Sequence, residues 1–417
     1  MTRLPGLLLF AMLLLGVAAL LLGAPLWPSA LLGWLATLGL FGRLPRASRR
    51  QAGTLFAVGA LLWALALLRG TDSALHDALV VNQPLLIMFA GVSFLSMAAP
   101  VAGRDDARDG SLIGTLLGAH LFGAAINLSV VFVFGERMQR DGRLERAQTL
   151  ILGRGFTAAA TWSPFFVAMG VALTYVPGLD YLTLLPWGVL TALCLLLLNY
   201  VDVIRRPHTP FHGYPIERGA LLLPGLLAVA VIVIHALWPG LSIVTIIALV
   251  SPLFALLLVP NGQRRERARR QLRDGLPGLT PQFALFLAAG VLSTGLTALT
   301  ATLSTGALPL VGFGALSAWL TLGVLVLLSF IGVHPLIGIA TLAPLIAPLQ
   351  PDATLLALMF LMSWALGTGS SPLSGSNLAI SQRYAVRSRD LLRWNLPYAL
   401  LGWLTCGAVL GLYALTG

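Results

Sequence analysis

Lysine is missing from this 417-residue chain, so its 26 basic residues are all arginine. That bias reads as codon usage and carries no mechanism. Acidic residues are scarce as well, fifteen in all, and each falls in a loop or at the end of an apolar run. A cation channel, a carboxylate proton relay or a site for a cationic substrate would need an acid at membrane depth. The only cysteines, Cys194 and Cys406, lie inside apolar runs and imply neither a disulfide framework nor a zinc site. Neither Gly-x-Ser-x-Gly nor His-Glu-x-x-His occurs, and no buried carboxylate is on hand to orient a catalytic base. An intramembrane enzyme built on Ser and His is thereby disfavoured, and we read the chain as a non-enzyme.

Apolar residues fill the space left by the missing charge. The hydrophobic share is 58% and the charged share 10%, with a mean hydropathy of +0.89. Those values belong to a polytopic membrane protein. The formal charge of +11 sits on arginines in short loops, as the positive-inside rule requires, so the expected partner is membrane lipid and not nucleic acid. We therefore expect an inner (cytoplasmic) membrane protein of bacterial type, N-terminus cytoplasmic and C-terminus external. The apolar start from Leu4 to Leu26 has no clear cleavage site and is long enough to span, which favours a helix over a signal peptide.

Spans of about 20 apolar residues are expected near 5–24, 29–42, 53–69, 84–102, 148–176 and 181–201. The second half repeats the theme near 219–237, 241–259, 280–302, 353–382 and 394–416. That makes an all-α protein of about 11 transmembrane helices. With Arg104 to Arg108 and Arg137 to Arg146 both cytoplasmic, segment 111–135 must enter and leave on one side as a re-entrant hairpin. Segment 309–349 lies between the uncharged loop near Ser304 and the Gln350-Pro351-Asp352 turn, and reads as a hairpin entering from outside. Hairpins of opposite orientation mark an inverted-topology repeat.

Two apolar stretches are broken by polar residues, at Thr157 to Pro164 and at Gly369-Ser370-Ser371-Pro372-Leu373-Ser374-Gly375-Ser376-Asn377. Irregular backbone at membrane depth is tolerated only against protein or a watery cavity, and transporters use it to hold solutes. Sequence echoes between the halves support a repeat. Ala90-Gly91-Val92 matches Ala289-Gly290-Val291, and Gly118-Ala119-His120 matches Gly332-Val333-His334. Ser163-Pro164 matches Ser371-Pro372, and Leu185-Pro186-Trp187 with Cys194 matches Leu396-Pro397-Tyr398 with Cys406.

This order of elements resembles the ion transporter superfamily, whose members include divalent anion:sodium symporters and citrate and arsenite carriers. The dicarboxylate carriers' Ser-Asn-Thr signature is absent; Ser376-Asn377-Leu378 is the nearest local match. The resulting division is an extra helix at 1–28 and a first repeat at 29–201, then a cytoplasmic linker at 202–218 and a second repeat at 219–417. The first repeat holds scaffold helices 29–102, hairpin 111–135, broken helix 148–176 and closing helix 181–201. The second holds scaffold helices 219–302, hairpin 309–349, broken helix 353–382 and closing helix 394–416. The resemblance implies a transport domain moving against a scaffold, an elevator mechanism, and a homodimer.

Without acids, the residues left at depth are neutral oxygen donors, helix N-termini and a few basic groups. That set suits an anion. The expected solute site comprises His120, Asn127, Arg154, Thr161, Ser163, His334, Thr368, Ser370, Ser371, Ser374 and Asn377. His120 and His334 either bond solute and titrate, or cap the hairpin turns. Arg154 either clamps an anion bidentately or snorkels to the interface. No cofactor is expected beyond a coupling ion: Na+ through oxygens around Ser163 and Ser371, or H+ through the histidines. The reading is a secondary transporter of a small anionic solute. Its rival is an exporter or flippase of an amphipathic or lipid-linked anion on the same fold.

Overall fold

The computed structural model describes residues 4–71, 75–98, 110–206, 211–214, 222–302 and 312–416. Among them regular structure is helical, apart from the isolated bridges Gly110–Gly213 and Arg140–Arg143. The expected loops Arg104 to Arg108 and around Ser304, and linker residues 207–210 and 215–218, lie outside the described residues.

The helices in order are α1 (Leu4–Leu22), α2 (Trp27–Phe41), α3 (Arg46–Leu68), α4 (Leu75–Val80) and α5 (Gln83–Ser93). Next come α6 (Leu112–Ile126), α7 (Ser129–Met138), α8 (Arg146–Ala158), α9 (Val167–Tyr175) and α10 (Tyr181–Ile204). The chain continues with α11 (Leu222–Leu237), α12 (Ile243–Leu258), α13 (Asn261–Arg270), a single turn α14 (Leu276–Gly278) and α15 (Thr280–Ala301). It closes with α16 (Ala315–Phe330), α17 (Pro335–Ile346), α18 (Ala353–Ser370), α19 (Gly375–Arg383) and α20 (Ser388–Thr416).

Among the described residues, seven stretches are long and apolar enough to cross a membrane: Leu4–Leu22, Arg46–Leu68, His76–Ala98, Tyr181–Ile204, Thr280–Ala301, Ala353–Arg383 and Ser388–Thr416. The chain is a multi-pass integral membrane protein. Other expected spans are shorter: α2 has 15 residues and α12 has 16, and the stretch expected to be broken at 148–176 consists of α8 and α9. The fourth span also begins earlier than expected, at His76, with an interruption at Val81-Asn82. There the Asn82 amide donates to Phe286 O at 2.6 Å.

Several polar residues at helix starts are there to cap them. Asp180 accepts from the amides of Leu182 and Thr183, Asp352 from Leu355, and Ser242 from Thr245. Glu145 and Gln148 form a capping box on α8. This explains the acids at these three helix starts: each satisfies amides that have no intrahelical partner.

The described helices cluster into two units. Unit 1 holds α1–α5, α12–α15, the end of α11 from Val231 and α17 from Ile339. In it α3 packs on α15 through glycines: a Cβ on Gly59 would meet the Leu292 backbone, and one on Gly295 the Gly59 carbonyl. Small residues give that close approach in membranes, where burial of apolar surface supplies no drive between helices. Unit 2 holds α6–α10, α16, α18–α20, the start of α11 and α17 up to Gly338. At its centre α18 is buried on all sides: 94% of the best window of Ala353–Arg383 is buried, against 28% for the closing span Ser388–Thr416. α16 is fastened to α20 by a reciprocal pair: Trp319 Nε1 donates to Trp403 O at 3.0 Å and Trp403 Nε1 to Trp319 O at 2.9 Å.

The two expected hairpins differ. In the first, α6 packs on α7 and both pack on α8. In the second, α16 packs on α18 and α20, and it meets α17 where Gly338 faces Leu325.

Candidate functional site

The α8–α9 break opens at Trp162, after a 3-10 turn over Ala159–Thr161. Ser163 closes it: its hydroxyl donates to Ala124 O of α6 at 2.6 Å and accepts from the Phe165 amide at 3.2 Å. The second break repeats this chemistry. Ser371 donates to Ser329 O of α16 at 2.6 Å and accepts from the Leu373 amide at 3.1 Å. In each case proline follows the serine, and the pinned carbonyl lies three residues before the left-handed turn residue, Asn127 (φ 51°) or Gly332 (φ 93°).

This register corrects the sequence echo that paired His120 with His334. If Ala124 matches Ser329 and Asn127 matches Gly332, the counterpart of His120 is Leu325 and that of His334 is Ser129. The two histidines accordingly do different things. His120 is buried on α6 with both ring nitrogens engaged, Nδ1 on Gly155 O at 3.0 Å and Nε2 accepting from Trp162 Nε1 at 3.0 Å. The bonds imply the Nδ1–H tautomer and a structural brace. His334 opens α17; its Nδ1 accepts from the Leu336 amide at 3.2 Å, which leaves the proton on Nε2. Its ring stands edge-on to Trp364 of α18 at 5.1 Å.

The two broken helices cross beside their breaks. A Cβ on Gly369 would meet the Thr157 hydroxyl, and one on Gly153 would lie 3.4 Å from Asn377 Oδ1. α8 touches both α18 and α19, while α18 touches α8 and α9. Carbonyls freed at the end of α18 are then covered by the chain itself. Thr368 O accepts from Ser374 Oγ at 2.7 Å, Ser376 Oγ at 3.3 Å and the Asn377 amide at 3.4 Å. Asn377 also donates to Gly369 O at 3.2 Å and Ser371 O at 2.9 Å, and Ser374 caps α19 by accepting from the Asn377 amide N–H. Asn377 is thus a spacer that holds the break open, and Ser374 is the cap.

Among the described residues, two hydroxyls in this neighbourhood, Thr368 Oγ1 and Ser370 Oγ, are buried and unbonded, as are those of Thr37, Thr149 and Ser251 elsewhere. Thr368 sits one helical turn beyond Trp364, so it shares the face of α18 on which His334 rests. At the other break, α9 starts at Phe166 without a side-chain cap.

Compared with protein families and with curated proteins, the chain has no match. Among solved structures it is similar to the YdaH transporter of Alcanivorax borkumensis, described as having an unusual topology. The identity is 16% over 98% of each chain, with a TM-score of 0.42. At that score the fold is read from this chain's own elements and not from the likeness.

Arg154 fits neither sequence expectation. It is 1% exposed, and α10 and α20 take its donors. Nε bonds Asn395 Oδ1 at 2.8 Å, one terminal nitrogen bonds Asp202 at 2.8 Å and Asn199 Oδ1 at 3.5 Å, and the other bonds Trp394 O at 2.7 Å. The Tyr398 ring lies 4.3 Å from the guanidinium carbon. Asp202 is shared with Arg146 at 3.2 Å and Arg206 at 3.5 Å. A buried guanidinium is tolerable with such partners, and it ties three helices together. Thr161 is likewise committed, to Ala158 O at 2.9 Å and Gly188 O at 2.8 Å, and Asn127 donates to Phe165 O at 3.1 Å.

Sequence reasoning missed Trp162, Thr157, Ser329, Trp364, Asp202, Asn199 and Asn395. Only the rule that a charge at depth needs a partner could have prompted a search for Asp202.

Proposed function

We propose that the chain is a secondary active transporter of a small anionic solute, held in unit 2 where the turn before α17 meets the end of α18. The observation that carries this is the pair of buried hydroxyls without partners, Thr368 and Ser370. Buried polar atoms are nearly always bonded, so such a pair is what a solute's oxygens would satisfy. The His334 Nε2–H is a further donor, on the face of α18 that carries Trp364 and Thr368, and the uncapped start of α9 supplies positive dipole character. No acid is placed there to repel negative charge. Movement of unit 2 against unit 1 in an elevator cycle is the mechanism we propose, since the hairpin turns and both breaks belong to unit 2.

Sodium fits this arrangement poorly. At the second break Thr368 O, Gly369 O and Ser371 O already accept donors, and both Ser163 and Ser371 hydroxyls donate to hairpin carbonyls.

The test is a thermal-shift screen of the purified protein against organic and inorganic anions, with and without sodium. We expect an anion that raises the melting temperature of the native protein but not of Thr368→Val/Ser370→Ala. Stabilisation only by cations or lipid-linked amphipaths, or an anion shift that the double variant leaves intact, would sink the reading.

A further inference from the structure

The strongest concentration of charge lies in unit 1. α13 reads Asn-Gly-Gln-Arg-Arg-Glu-Arg-Ala-Arg-Arg and has no buried residue. Two of its arginines pin it. Arg264 donates to Val259 O at 2.8 Å and Leu257 O at 3.2 Å, and Arg267 donates to Met97 O at 2.5 Å. Arg273, just beyond, is paired with Asp274 at 3.0 Å. Arg269 and Arg270 are exposed, and among the described residues no carboxylate is in ion-pair range of either.

They line a cavity of about 680 Å³ with Leu7, Glu266, Leu272, Arg273 and Asp274. Its geometry is set by one close approach: Gly6 of α1 abuts the Leu272 carbonyl, where a Cβ would not fit. Leu272 belongs to a π-helical stretch, Gln271–Gly275, a distortion that in helices often marks a functional site. The first turn of α1 is thereby fixed beside the arginines. From Leu7 the exposed stripe continues down α1 through Leu14 and Leu21, which are 52%, 54% and 43% exposed. Fourteen residues at 1.5 Å per residue make that track roughly 21 Å long, about the reach of an acyl chain.

We infer that this cavity is a binding site for an anionic phospholipid with a hydroxylated headgroup, of the phosphatidylglycerol type. Arg269 and Arg270 hold the phosphodiester, Glu266 accepts from a headgroup hydroxyl, and the acyl chain lies along Leu7, Leu14 and Leu21. A free phosphate would explain the arginines but not the carboxylate or the apolar track. The site anchors unit 1 in the leaflet that faces α13, which the positive-inside rule makes the cytoplasmic one.

The experiment is native mass spectrometry of the full-length protein titrated with phosphatidylglycerol, with phosphatidylcholine, and with glycerol phosphate as a soluble headgroup. Four proteins are compared: native, Arg269→Gln/Arg270→Gln, Leu7→Asn, and Arg387→Gln/Arg389→Gln as a charge-matched control elsewhere. We expect phosphatidylglycerol retention to fall roughly ten- to thirtyfold in the first variant, from the contribution of each arginine near a lipid surface. Leu7→Asn, which keeps every charge, lowers retention of the lipid and leaves glycerol phosphate unaffected, and the control stays within about twofold of native. Equal loss in the control would show only uniform attraction of a basic face. Unchanged retention in Arg269→Gln/Arg270→Gln, or glycerol phosphate binding as tightly as the lipid, would overturn the proposal.

Discussion

Ser163 and Ser371 do the same work at two breaks far apart in the chain. Each donates its hydroxyl at 2.6 Å to a carbonyl of a neighbouring helix, three residues ahead of that helix's left-handed turn. Each also receives the backbone amide two residues on. One side chain thus receives an amide that the break leaves without a helical partner and ties the break to a carbonyl of a neighbouring helix, which at Ser329 also accepts from the Gly332 amide at 3.0 Å.

The matched geometry predicts matched losses. Ser163→Ala and Ser371→Ala should each cost about 1–2 kcal/mol, the scale of a buried hydrogen bond with its orphaned partner. Melting of the purified protein would show two similar decreases. A large effect at one site and none at the other would deny that the two breaks are equivalent.

Arg154 should behave as a structural tie. Asp202→Asn leaves the guanidinium partly uncompensated and should destabilise by about 3–5 kcal/mol, while Arg154→Met with Asp202→Leu should recover much of that loss. Thermal melting checks the stability, and the screened anion checks the alternative. An Arg154 variant that folds normally yet loses anion binding would restore Arg154 to the solute site.

The two histidines should part company. His120 is braced at both ring nitrogens, so His120→Gln should lower stability while leaving anion binding by the folded protein intact. His334 has one engaged nitrogen, and His334→Gln keeps a donor there while His334→Ala removes it. We expect His334→Gln to retain anion binding and His334→Ala to weaken it, read by thermal shift. Equal anion binding by the native protein and both His334 variants would contradict a role for His334 as a donor to the solute.

Much of the architecture was legible because lipid imposes strict rules on sequence. The apolar runs and both breaks stand where hydropathy and the Gly, Ser and Pro clusters put them. The error over the histidines has an equally physical source. Gly-Ala-His and Gly-Val-His are similar words, but the turn is set by the residue that tolerates positive φ, and those residues are Asn127 and Gly332. Reading Asn-Leu-Ser as the first turn would have given the right register. The Arg154 network could not be read in this way, since its partners lie 45 to 241 residues away in sequence and no local pattern joins them. Nor does any sequence word reveal that Asn377 spends its amide on three carbonyls of its own break.

Loop placement is testable independently. In a protein whose Cys194 and Cys406 are replaced by serine, single cysteines at Arg140, Arg206 and Arg387 should label from the cytoplasmic side. One at Gln350 should label from outside. Labelling of Arg140 and Arg206 from opposite sides would break the topology on which the positive-inside reading depends.

The central claim is that the end of α18 receives an anion for transport. Its most direct test is uptake of the anion identified by thermal shift into proteoliposomes containing native protein, Thr368→Val/Ser370→Ala, or the distant control Arg387→Gln/Arg389→Gln. The account predicts saturable uptake by the native protein and the control, and at least about tenfold weaker uptake by the Thr368/Ser370 variant, the loss of two hydrogen bonds to a charged solute. Equal uptake by all three proteins, or no flux of any anion alongside exposure of a labelled lipid headgroup, would contradict it.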